Sequence, residues 1–142
     1  MASEEPRVRQ NYLAILVAAV AYFLLQVGWF SMFMQPWLEG IGRTHEWALS
    51  TGLNPALQYG ITLVAAAVMA AAISCVTQLI GPQTVLRGAQ AGALLWLGFV
   101  LTTFAIEYAF EVRTFQLLAI NTGCPFVGMV VEGAIVGGWK KK

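Results

Sequence analysis

The chain is 142 residues long, 58% hydrophobic and 11% charged, with a formal net charge of +1. Soluble domains carry about 25% charged residues, so this composition, with a mean hydropathy of +0.70, excludes a water-soluble globule. It also leaves no length for a second unit, and residues 1–142 read as a single four-span membrane domain.

Four apolar runs carry the fold, at about residues 12–33, 56–80, 86–108 and 115–139. Each reaches the roughly 20 residues that a helix needs to cross a hydrocarbon core of about 30 Å. A helix also satisfies its own backbone hydrogen bonds where lipid offers none. The expected fold is all-α, an integral membrane four-helix transmembrane bundle.

Span one opens at Asn11, a predicted N-cap. Arg7 and Arg9 precede it, but the run is longer than the apolar region of a signal peptide, about 7–15 residues, and lacks a small-x-small cleavage site. It reads as an uncleaved anchor. Gln26 is expected to bond to another helix. The span leaves through Trp29, Phe30, Phe33 and Trp37, whose rings suit headgroup depth, and Pro36 is expected to end the helix. Residues 35–55 then form the one sizeable loop. There Trp37, Leu38, Ile41, Trp47 and Leu49 alternate with Glu39, Arg43, His45 and Glu46, a pattern that suits a short amphipathic helix lying on the membrane.

Span two has an alanine-dense centre at 65–67 and 70–72, which allows close backbone approach. Gly81 and Pro82 turn the chain into span three, which opens on the GxxxG pair Gly88 and Gly92 and ends near Glu107, Tyr108 and Glu111. Span four carries a second GxxxG pair, Gly133 and Gly137. These pairs admit two uses, packing within one chain or at a subunit interface. Cys75 and Cys124 lie about 15 Å apart in depth by helical rise, too far for a disulfide, and read as packing residues.

Charge distribution orients the bundle. Arg7, Arg9, Arg87 and Lys140, Lys141 and Lys142 fall on one side of a four-span chain, with Arg43 and Arg113 on the other. The positive-inside rule places both termini in the cytoplasm, and residues 35–55 on the far side. The terminal lysines read as a topology anchor, and nothing suggests a nucleic-acid partner.

Glu132 is the most unusual residue, roughly 10 Å inside span four by helical rise. A charge at such depth costs about 2.5–3.5 kcal/mol on insertion scales and is driven toward the bundle interior or a partner. Asn121, Pro125, Gly128 and Glu132 share one helical stripe, and Pro125 removes the donor for the Asn121 carbonyl. One reading is a proton- or cation-handling site; the other is a carboxyl that is protonated or paired with Arg87 or Gln90. Glu107 and Glu111, one turn apart, form either an acidic rim or a solvated pair beside Arg113. His45 with Glu46 and Glu39 lacks metal-site spacing, so no metal and no cofactor is expected. With no Ser-His-Asp set, phosphate loop or CxxC pair, the chain is expected not to be an enzyme.

The ordered landmarks match a known group. Asn11-Tyr12-Leu13-Ala14, Gly28-Trp29-Phe30-Ser31 with Pro36-Trp37, Leu95-Trp96-Leu97-Gly98-Phe99-Val100, Tyr108-Ala109-Phe110-Glu111, Leu117-Leu118-Ala119-Ile120-Asn121 and Gly133-Ala134-Ile135 with Trp139 resemble the small bacterial membrane proteins grouped as domain of unknown function 1761. The resemblance covers about residues 11–139. It implies a four-span, multi-pass protein of a bacterial inner membrane and brings no activity. Departures are Cys124-Pro125 after Gly123, where the family tends to show Gly-Tyr-His after the asparagine, Glu132 where an apolar residue is common, and Glu107 where an amide is common.

Together these readings point to a non-enzymatic oligomeric module that binds membrane lipid, a small apolar ligand or a partner membrane protein. The alternative is a small oligomeric channel or transporter for protons or cations built on Glu132.

Overall fold

The computed structural model describes residues 8–52 and 54–141. Arg7 and Lys142, two of the residues behind the orientation argument, lie outside the described residues. All regular structure among the described residues is helical: α1 (Tyr12–Ile41), α2 (His45–Thr51), α3 (Pro55–Leu79), α4 (Val85–Leu95), a π-helical segment (Trp96–Leu101), α5 (Thr102–Glu111) and α6 (Phe115–Gly138). Four helical stretches, the third running from Val85 to Glu111, are long and apolar enough to cross a membrane.

Capping sets the boundaries. Asn11 accepts from the Ala14 N–H, Thr44 from that of Trp47, Thr84 from that of Arg87 and Thr114 from that of Leu117, each side chain satisfying an orphan donor of a first turn. Pro36 does not end α1, contrary to the sequence expectation. The helix continues to Gly42, whose φ of 69° suits the left-handed stop, while the Arg43 N–H bonds the Leu38 carbonyl. Tertiary contacts outweigh the bond lost at Pro36. Leu38 is buried, and Gly40 lies so close to Leu117 that a Cβ there would come within 2.9 Å of its side chain. The expected amphipathic segment is α2, seven residues with none buried.

The spans alternate in direction, so the start of α1 meets the end of α6: Asn11 Nδ2 donates to the Trp139 carbonyl at 3.2 Å. Below, this is the terminal end, and the end bearing α2 is the loop end. The core lies in the terminal half. Ala14, Ile15 and Ala18 of α1 pack with Ala70 and Ile73 of α3, Ala91 of α4, and Met129 and Val136 of α6.

The tightest contact is between α4 and α6, and glycines make it. A Cβ on Gly88 would overlap the Gly133 carbonyl, one on Gly92 the Met129 carbonyl, one on Gly133 the Gly88 carbonyl and one on Gly137 the Thr84 carbonyl. Both GxxxG pairs are therefore consumed within the chain, and the subunit-interface use of these four glycines does not hold.

The loop-end half is looser. No residue of α5 is buried, and the first residues of α3, through Ile61, are exposed. The bundle is closed at one end and open at the other.

Candidate functional site

Side chains from three elements converge on one stretch of α6. Trp29 of α1 donates its indole N–H to the Ile120 carbonyl at 3.1 Å. Trp96, at the start of the π-helical segment, donates to the Thr122 carbonyl at 2.7 Å. Between them, Asn121 accepts from the Trp37 indole at 3.1 Å and donates its amide to the Tyr108 hydroxyl. Pro125 lies just beyond and has no N–H to offer the Asn121 carbonyl. Three indoles thus hold the carbonyl-rich turns before a helix-weakening proline. Sequence reasoning took Trp29 and Trp37 for interfacial rings and gave Tyr108 no partner; nothing local to them reveals that they reach α6.

Beside this junction, α1, α5 and α6 enclose a half-open cavity of about 310 Å³. Tyr22, Phe30, Trp37 and Phe104 supply aromatic walls, with Asn121, Cys124 and Pro125 contributed by α6. A neighbouring cavity of about 290 Å³ lies between α1 and α3, where Gln58, Tyr59 and Thr62 face Val27 and Met34. Gln26 and Phe30 line both. Gln26 does not bond to another helix as expected: among the described residues no side-chain hydrogen bond engages it, because the helices around it have parted.

Tyr22 closes the terminal side of the larger cavity. Its ring packs so closely on Gly128 that a Cβ there would collide with it. Cys124 and Glu132 stand one helical turn to either side of Gly128, so the ring separates the cavity from the carboxyl.

Glu132 is 0% exposed, and neither carboxylate oxygen has a hydrogen-bond partner. Met129 and Val136, which flank it on the same face of α6, belong to the apolar core with Ala14, Ala18, Ala70 and Ile73. The expected pairing with Arg87 or Gln90 does not form. Arg87 donates to the Pro82 carbonyl at 3.2 Å, and Gln90 is exposed; both lie on α4, whose glycine face meets Gly133 and not Glu132.

The predicted stripe does turn inward: Gly128 and Glu132 are buried, and Asn121 and Pro125 are half-buried. It holds two separate features, an amide junction at Asn121 and a bare carboxyl three turns away. Glu107 and Glu111 join neither, being exposed at the loop end, where Glu111 pairs with Arg113 at 2.8 Å. Cys75 and Cys124 are both free; Cys75 accepts from Gln10 Nε2 at 2.8 Å. Among the described residues no three His, Cys, Asp or Glu side chains come together.

A search of the curated proteins and one of the solved structures each gave no match. The sequence profile of the family described as protein of unknown function (DUF1761) matches residues 13–137, from the first turn of α1 to the last of α6, and the chain belongs to that family.

Proposed function

We propose that this protein is a non-enzymatic membrane module that holds a small apolar ligand, or one chain of a membrane lipid, in the open loop-end half of its bundle. One observation carries the reading: Gln26, a hydrogen-bonding amide without a partner, sits in the wall shared by two adjoining cavities that are otherwise largely apolar and aromatic. Ligand sites combine apolar walls with a few polar groups that fix orientation. Thermal unfolding in detergent against a panel of single-chain and double-chain lipids tests it, because a ligand that prefers the folded state raises the melting temperature. Gln26→Ala and Phe30→Ala should abolish that rise without lowering the unliganded value. A rise that survives both substitutions would sink the reading.

The basic residues near the terminal end support a cytoplasmic position for both termini, in a bacterial inner membrane. Self-association would use faces other than the glycine pairs; the apolar outer faces of α3 and of α4–α5 are available for it, or for a partner membrane protein. Oligomeric state in a lipid nanodisc tests this.

A second reading, a conduit for protons or cations, draws on Glu132. Liposome flux that is lost in Glu132→Gln would favour it over ligand storage. Absence of flux from the native protein would remove it.

A further inference from the structure

A buried carboxyl without a partner, next to an aromatic cavity, asks for a positive charge. The basic residues Arg9, Arg43, Arg87, Arg113, Lys140 and Lys141 all lie outside the spans or at their ends. Among the described residues the one ion pair is Arg113 with Glu111. No basic side chain answers Glu132, and its surroundings are alanine, isoleucine, methionine and valine.

We propose that the cavity between α1, α5 and α6 binds a lipophilic organic cation, an ammonium carried on an apolar body, with Glu132 as its counter-charge. This rests on the ligand-holding reading above and names the class of ligand. Two independent features converge on it. First, four aromatic residues from three directions, Tyr22, Phe30, Trp37 and Phe104, line one space. The faces of such rings attract cations, and quaternary ammonium groups are held this way. Second, Glu132 stands one helical turn beyond the Tyr22 ring, in a region that lipid and protein keep dry. Attraction between opposite charges falls off slowly where water does not screen it, so the carboxyl reaches the cavity without touching its occupant. The open side of the cavity admits the ligand's apolar body from the bilayer. Asn121 does not compete for this role, since both ends of its amide are already engaged.

The test uses an isosteric pair, benzyltrimethylammonium and its neutral carbon analogue neopentylbenzene. Each is titrated into the full-length protein in nanodiscs by calorimetry, with empty discs as the blank. The ammonium should bind about tenfold more tightly than the neutral analogue. Glu132→Gln should erase that preference while leaving neutral binding unchanged, which also shows that the variant is folded. Phe30→Leu, which keeps an apolar wall but removes a ring, should lower the preference in a protein that retains its carboxyl. Equal binding of the two probes, or a preference untouched by Glu132→Gln or by Phe30→Leu, would overturn the cation assignment and leave the apolar cavity standing. If neither probe binds, the cavity reading falls with it.

Discussion

Single methyl groups decide the α4–α6 contact. At Gly88 or Gly133 a Cβ meets facing backbone, which cannot rotate away as a side chain can. Gly88→Ala should cost about 3 kcal/mol, at the upper end of overpacking, whereas Gly28→Ala, with nothing within 4 Å, should be neutral or stabilise by about 0.5 kcal/mol through helix propensity. Thermal unfolding in one detergent compares the two directly. Glu132 works in the other direction. An unsatisfied buried polar group costs about 1–3 kcal/mol, so Glu132→Met, similar in volume and fully apolar, should raise stability by about 2 kcal/mol. A fall in stability would mean that the carboxyl has a partner after all. A residue retained against its own stability marks a site under a demand other than folding.

At the scale of helices, hydrophobic run length and capping residues were enough to place the spans, because lipid permits few alternatives. Asn11 caps as predicted, and α3 and α6 start and stop within a residue of the expected limits. The extension of α1 past Pro36 and the π-helical segment were not legible, since both depend on what the chain meets across the bundle. The same holds for the site. Glu132 stood out as a charge in an apolar run, and Asn121 as a polar landmark. Tyr22, Trp96, Phe104 and Tyr108 did not, since an aromatic ring inside a span looks the same in sequence whether it faces lipid or a cavity. The indole bonds to α6 can be checked one at a time: Trp96→Phe removes the donor to the Thr122 carbonyl and should cost about 1 kcal/mol. Trp139→Phe, whose ring is exposed, should cost nothing measurable. A loss no larger than that for Trp139 would mean that the indoles do not secure α6.

Across the whole molecule, the closed terminal half and the open loop-end half divide labour between holding the bundle and receiving a guest. Cysteine introduced at Tyr59 should therefore react quickly with a membrane-permeant maleimide, and cysteine at Ala70 should not, as the one is exposed and the other 0% exposed. Comparable rates would mean that α3 does not splay. Labels at Val8 and Lys141 should react from the same side of a sealed vesicle, given the bond between Asn11 and Trp139. The wide turn at Trp96–Leu101 has a consequence of its own, because a π-helical turn holds more residues than the α-helical turn it replaces. Excising one amino acid there would let the rod rewind to ordinary pitch and swivel everything downstream by about 100°. Phe104 and Tyr108 would then point toward the hydrocarbon, the guest chamber would lose a wall, and Asn121 would lose its phenol, with no side chain at either place altered.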